Sequence, residues 1–350
     1  MLEKKKRLLF INPVEHFVYY GWYYLFDKFY ELIIYNQEER NIFGKNYKIN
    51  CKKNYGIKSN PFIIFDKKDI NYGKDDIIII GDIFTNNLCF SIKNKNTLYY
   101  SEFFLDKKSL IKKVIFFIIG YLFYYNKKII VPSKIGKNSF KKVSKNVFYL
   151  PQIYYGDIQK SKPVGDIIKL LFVGRVSPYF KNTDFMIQNY LKYKETNPNI
   201  HLTIVGRMDD RDFQNKYGKE MDDGNISYLG LLSQEELFEV YNNHDILLLC
   251  SKSEPIGSVV QEAMANGMGI LLSKYSGSAS YIEEGVNGYT FDPHEDDDFI
   301  KKLANICNEK DKINLFKENS YNLIKGKYWY KNDELIDKIH NDLVNFVNNG

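Results

Sequence analysis

The chain has 350 residues and a mass of 41.3 kDa, with 44% hydrophobic and 26% charged residues, the balance of a globular protein long enough for two domains with separate cores. Its net charge of +6 is uneven: residues 1–165 carry 29 Lys and Arg against 14 Asp and Glu, or +15, and the remainder carries −9. Cys51, Cys89, Cys250 and Cys307 lie far apart with no CxxC pair, which argues against a zinc ribbon or a disulfide framework and suits a reducing, cytoplasmic setting.

The basic first half is expected to face something anionic, either a nucleic acid, an anionic membrane surface or a pyrophosphate-linked acceptor. A solvated lysine-rich surface without a partner is the plainer alternative. No nucleic-acid-binding motif is recognisable, so nucleic acid is not an expected partner.

In chain order, the basic start MLEKKK is followed by RLLFIN, Arg7 to Asn12, which reads as a first buried strand and not as a signal peptide. A loop with Glu15 and His16 follows, then a helix through Trp22 to Phe29. Ligands of doubly wound sheets bind beyond the carboxyl ends of strands, so this loop is a candidate wall of an acceptor site. His16 is its candidate proton acceptor or hydrogen-bond donor, against the plainer reading of a solvated or structural histidine.

Further strands are expected at Glu31 to Tyr35, Asp76 to Ile80, Thr97 to Tyr100, Lys128 to Val131 and Val147 to Leu150. Their continuous apolar runs point to a parallel sheet covered on both faces. Residues 37–58 are polar and carry no clear element. The most apolar stretch, Val114 to Tyr125, is too short for the roughly 20 residues of a membrane-spanning helix; Lys112, Lys113, Lys127 and Lys128 bracket it. It reads as a buried helix or, alternatively, as a segment lying on a membrane surface.

The polar stretch Asp157 to Asp166 is the expected domain boundary. After it, the strand Ile168 to Val173 ends in Gly174 and Arg175, with Lys181 just before a helix whose expected cap is Thr183. Gly174 allows close backbone approach, while Arg175 and Lys181 are able to reach one anion from one loop. The strand His201 to Val205 ends in Gly206 and Arg207; Asp209 and Asp210 behind it read as solvated loop acids. Ser233 and Glu236 have the spacing of a capping box.

The stretch SEPIGSVVQEAMAN, Ser253 to Asn266, follows the apolar run Asp245 to Cys250. It reads as a loop with Glu254, Pro255 and Gly257, then a helix from about Ser258 closed by Gly267. The unpartnered amides at a helix start make an anion site, and Glu254 and Glu262 would flank a phosphate bound there. An ordinary βα unit with two solvated acids is the plainer reading of this stretch alone.

Glu254 and Glu262 with seven residues between them, taken with Gly174-Arg175 and Lys181, resemble the signature of retaining glycosyltransferases of family 4. The stretch Lys127 to Gln152 and the turns of Ser276 to Pro293 are similar to the same family, although Gln152 to Tyr154, Ile256 and Ser280 depart from its pattern. The resemblance covers residues 127–350 well and residues 1–126 in pattern.

It implies an α/β protein of GT-B fold, with two Rossmann-like doubly wound domains facing a cleft and a C-terminal helix crossing back to the first. The domains are expected at residues 1–160 for the acceptor, 161–330 for the nucleotide sugar and 331–350 for the returning helix. It further implies transfer of a hexose-type sugar, with retention, from a nucleotide diphosphate sugar to a saccharide or lipid-linked saccharide in surface polysaccharide or glycan synthesis. Arg175, Lys181 and the amides of Gly257, Ser258 and Val259 would hold the diphosphate, Glu262 the ribose, and Glu254 the sugar. Gly174 and Gly206 would lie near the nucleotide.

Neither a cofactor nor a metal is expected, and peripheral contact at the inner face of a membrane through the basic half is. The alternatives are a GT-B epimerase or phosphorylase, a non-catalytic nucleotide-sugar-binding protein, and a dinucleotide oxidoreductase; the last is disfavoured because the βα turns lack GxGxxG.

Overall fold

A computed structural model describes residues 5–11, 20–35, 40–42, 45–47, 53–55, 62–64, 70–81, 92–102 and 110–349. Contacts divide the chain into two units, residues 1–155 with 328–350 and residues 156–327. His16 and Glu15 lie outside the described residues.

The first unit opens with β1 (Arg7–Ile11), α1 (Tyr20–Phe29) and β2 (Glu31–Tyr35). Two short antiparallel ribbons follow, β3 (Arg40–Ile42) with β4 (Lys45–Tyr47) and β5 (Lys53–Tyr55) with β6 (Phe62–Ile64); β3, β4 and β5 occupy the polar region, residues 37–58, that carries no clear element in the sequence. Then come β7 (Ile77–Ile80), β8 (Thr97–Tyr100), α2 (Leu110–Tyr124), β9 (Lys128–Val131), α3 (Lys134–Phe140) and β10 (Asn146–Tyr149). The main sheet is parallel, in the order β10-β9-β8-β7-β1-β2.

Its strands are uninterrupted apolar runs because both faces are covered. Leu8 and Phe10 point to one core with Trp22 and Phe26, and Leu9 and Ile11 to the other with Phe116 and Phe140. Trp22 donates its indole N–H to the Pro151 carbonyl at 2.8 Å, which satisfies the one polar atom of a fully buried ring.

The second unit comprises β11 (Ile168–Val173), α4 (Thr183–Lys194), β12 (Ile200–Val205), α5 (Phe213–Asp222), β13 (Ile226–Gly230), α6 (Gln234–Asn242), β14 (Ile246–Leu249), α7 (Ser258–Ala265), β15 (Gly269–Ser273), β16 (Gly288–Phe291), α8 (Asp296–Cys307) and α9 (Lys310–Lys327). All six strands are parallel, in the order β13-β12-β11-β14-β15-β16. The chain builds outward from β11 on one side, then restarts beside β11 with β14 on the other. The capping box expected at α6 forms, with Ser233 and Glu236 satisfying each other's amides. The cap of α4 is not Thr183 but Asn182, whose left-handed backbone (φ 56°) places Thr183 inside the first turn.

The chain then returns to the first unit. Tyr154 pairs with the returning segment, its N–H bonding Tyr328 O at 2.6 Å and its carbonyl accepting from Tyr330 N at 3.1 Å. The final helix α10 (Asp333–Asn349) buries Ile336, Ile339, Leu343 and Val347 in the same core as Trp22. Its apolar positions recur at three- and four-residue steps, so one stripe faces that core.

Candidate active site

In the second unit the strand order reverses between β11 and β14. Crevices in doubly wound sheets open at such a reversal, beyond the carboxyl ends of the strands. The β11–β14 pairing registers Leu170 with Ile246 and Leu171 with Leu247 and stops two residues short of both strand ends. The loops that leave those ends carry the residues singled out from the sequence.

Gly174 follows β11 and Gly206 follows β12. Both have positive φ, 152° and 133°, and a Cβ on Gly206 would stand 1.9 Å from the Gly174 carbonyl oxygen. No side chain fits there, so the two loops run backbone against backbone. Val176 N–H bonds Arg207 O at 2.8 Å and Asp209 N–H bonds Val176 O at 3.0 Å, extending the parallel ladder past the sheet.

That ladder sets where the cations go. Arg175 is 63% exposed and its guanidinium stands 3.8 Å from Asp209, which Arg207 holds by two hydrogen bonds of 2.8 and 3.2 Å. The Arg207 guanidinium keeps the Asp209 carboxyl below the usual carboxylate range, with Arg175 adding to the effect. Asp210 differs from the solvated acid expected. It is buried, accepts from Asp212 N–H at 3.0 Å and pairs with Lys216 at 3.0 Å.

Lys181 takes a different direction. The turn Ser177 to Lys181, closed by Lys181 N–H to Ser177 O at 3.2 Å, brings its ammonium onto the carboxylate of Glu254. Glu254, with a side chain 13% exposed, also accepts from the Ser251 hydroxyl at 2.8 Å. Its backbone pairs with the loop after β15, through Gly277 N–H to Glu254 O at 2.8 Å. The carboxylate is therefore held by the Lys181 ammonium and the Ser251 hydroxyl, one on each oxygen, and the backbone beneath it is anchored to the loop after β15.

Gly257 caps α7. Its N–H donates to the Ser278 hydroxyl at 2.9 Å, and that hydroxyl donates to the Gly257 carbonyl at 3.1 Å. The Gly257 amide is thus taken up within the protein, unlike the expectation that it serves an anion. The amides of Ser258 and Val259 have no partner among the described residues and stand at the positive end of the helix. A Cβ on Gly257 would lie 3.5 Å from a Glu254 carboxylate oxygen, so carboxylate and helix start are adjacent.

Glu262, one turn into α7, accepts from the Tyr241 hydroxyl at 2.8 Å. Burial pushes its carboxyl above the usual range, against the opposing hydrogen bonds from Tyr241 and Ser258. The structure therefore gathers Lys181, Glu254, Gly257 and Ser258, keeps Glu262 on the inner side of α7, and leaves Arg175 facing Asp209. Ser251 and Ser278 complete the site, and no sequence spacing pointed to them. Among the described residues, no cluster of His, Cys, Asp and Glu has the makings of a metal site.

Residues 156–323 match the family model described as glycosyl transferases group 1. An uncharacterized glycosyltransferase of Methanocaldococcus jannaschii is 27% identical over 265 residues, covering 72% of this chain and 64% of that protein. The lipopolysaccharide 1,2-N-acetylglucosaminetransferase of Salmonella typhimurium is 25% identical over 228 residues, 59% of each. The chain thus spans less than two thirds of the length of these curated relatives. Among solved structures, Anabaena HepE in complex with UDP and glucose superposes with a TM-score of 0.63 at 14% identity, over 97% of this chain and 99% of that one. The fold is GT-B: two six-stranded parallel sheets with their helices, and a last helix that belongs to the first unit.

Proposed function

We propose that the protein is a retaining glycosyltransferase that moves a hexose-type sugar from a nucleotide diphosphate sugar to a saccharide or lipid-linked saccharide. The observation that carries this reading is the Lys181–Glu254 pair set against the start of α7 at the strand-order reversal of the second unit. A cation, a carboxylate and two unpartnered amides stand within one loop cluster, which is the equipment needed to bind an activated sugar by its diphosphate. The UDP and glucose in the HepE complex and the lipopolysaccharide and N-acetylglucosamine in the name of the Salmonella relative support the same substrate classes.

In this proposal the anomeric carbon–oxygen bond to the β-phosphate breaks, and the electron pair leaves with the diphosphate. Lys181 and the amides of Ser258 and Val259 meet the growing negative charge; fixed donors of this kind contribute about 3 kcal/mol each to lowering a barrier. Arg175 joins them by turning from Asp209, where the 3.8 Å contact of an exposed pair is weak. Glu254 binds sugar hydroxyls and favours the positive character on the anomeric carbon. Glu262 offers its second oxygen to the ribose. The acceptor hydroxyl attacks the face from which the diphosphate departs, and its proton passes to the departing phosphate oxygen, so retention needs no protein base.

Glu254→Gln tests the reading. The variant keeps the shape and the Ser251 contact but loses the charge, and sugar transfer should fall by about 100-fold or more while nucleotide diphosphate binding, followed by calorimetry, stays within a few-fold of wild type. Wild-type turnover by Glu254→Gln removes this carboxylate from the mechanism.

A further inference from the structure

Helix α2 is only partly the buried helix its composition suggests. Phe116, Gly120 and Tyr124, at four-residue steps, face the first unit. Gly120 sits so close to Val143 that a Cβ would come within 2.9 Å of its side chain, which fixes the roll of the helix about its axis. The opposite face is then forced outward. Val114, Phe117, Ile118, Tyr121 and Leu122 are all exposed, Tyr121 by 64% and Leu122 by 67%. Their spacing makes one continuous apolar stripe along the helix.

The polar neighbours of this stripe are lysines. Residues 110–146 contain nine lysines and neither Asp nor Glu. Lys141, Lys142 and Lys145 are exposed on the turn that holds Val143, and Lys142 lines a shallow groove with Phe117, Ile118, Tyr121 and Leu122. Lys145 lies over the ring of Tyr125 at 4.9 Å, and that ring packs on Tyr121 at 5.1 Å. None of these three lysines has an acidic partner among the described residues.

We propose that the α2 stripe and the Lys141–Lys145 turn form a docking face for an anionic lipid bilayer, with the apolar side chains entering the headgroup boundary and the lysines meeting lipid phosphates. Charge complementarity decides for lipid over a second copy of the chain, because two such faces would bring lysine-rich turns together. Tyrosine and lysine beside an apolar helical face are the residue types of the membrane–water boundary. At 15 residues, α2 is too short to cross a bilayer, whose hydrocarbon core is about 30 Å thick, so it lies along the surface. The proposal does not depend on the activity proposed above.

Vesicle sedimentation of the full chain tests it, with no substrate present. Wild type should pellet with vesicles of phosphatidylcholine and phosphatidylglycerol in equal parts and remain in solution with phosphatidylcholine alone. Two variants separate the components: Ile118→Ser with Leu122→Ser, and Lys141→Gln with Lys142→Gln and Lys145→Gln. Each should lower partitioning about tenfold or more with an unchanged melting midpoint, since every substituted side chain is exposed. Wild type staying in the supernatant overturns the proposal, as does undiminished binding by the folded serine variant. A dimer in light scattering that the serine variant turns into monomer, with no lipid binding by either, reassigns the stripe to self-association and overturns it as well.

Discussion

Ser278 shows what residue spacing does not carry. It lies twenty-one positions beyond Gly257 in another loop, yet its hydroxyl both accepts from and donates to the Gly257 backbone. Ser278→Ala leaves the buried Gly257 N–H without its partner, while the carbonyl keeps the Val260 N–H at 3.1 Å; a loss of about 1–3 kcal/mol is expected, and the change should lower the urea midpoint and slow turnover more than it weakens nucleotide binding. Gly206→Ala is predicted to be costlier. Its Cβ would meet backbone 1.9 Å away at a φ that L-residues rarely adopt, so a loss of about 3 kcal/mol or more is expected in the same denaturation experiment.

Glu254, Lys181 and Gly257 were legible in the sequence because each sits at a fixed step from a strand end or a helix start. Of their partners, Ser251 lies three residues before Glu254 in the same loop, but a lone serine there carries no signal of its own; Ser278 and the Tyr241 hydroxyl on Glu262 were not legible, because these contacts join segments twenty-one residues apart that only the fold brings together. The same reason explains Arg175. Its place after β11 is readable, but its partner Asp209 belongs to the loop after β12.

Among the elements, β14 and α7 carry the site, and two ionisable groups set their stability. Asp245, at the entrance to β14, accepts from Lys169 N–H at 2.9 Å and pairs with Lys317 of α9 at 2.5 Å, both side chains being buried. Lys317→Met strips a buried carboxylate of its cation, and the unfolding free energy should drop by about 3–5 kcal/mol in urea titration. Asp245→Asn together with Lys317→Met should recover part of that loss.

Glu262 acts with the opposite sign to a salt-bridged acid. Its folded carboxyl holds its proton above the ordinary range, so the native state binds more protons than the unfolded one between the two values. Its stabilising contribution is therefore present at low pH and declines as pH rises through the raised folded value. Glu262→Gln keeps an acceptor for Tyr241 and removes the titration. The melting midpoint of the variant relative to wild type should rise with pH over the span from the ordinary carboxylate range up to the raised folded value, while nucleotide affinity falls. A constant difference across that span would show that burial does not raise the Glu262 carboxyl.

The elements themselves were largely readable. Strands at Glu31–Tyr35, Thr97–Tyr100 and Lys128–Val131 stand where the apolar runs placed them, since a strand buried on both faces has to be apolar throughout. The ribbons β3 to β6 were not, being three residues each, with β3, β4 and β5 of largely polar composition and β6, FII, too short to stand out. Helix α2 was half readable. Its apolar content suggested burial, and only the Gly120–Val143 contact reveals that much of that content faces outward.

For the molecule as a whole, the division at residues 155–156 and 327–328 separates a basic sheet unit from one that carries the Lys181–Glu254 cluster. Net charge by halves set the first half apart as the basic one, and the stripe on α2 is the surface proposed for its anionic partner. The activity proposed above rests on a diphosphate grip built from residues of the unit 156–327. Calorimetric titration of the full chain with UDP, GDP and ADP, in wild type and in Lys181→Ala, tests that grip most directly. At least one nucleotide should bind wild type, and Lys181→Ala, still folded, should weaken that binding about tenfold or more, equivalent to about 1.4 kcal/mol. Binding of none of the three, or equal affinity in the folded variant, would contradict the proposed grip.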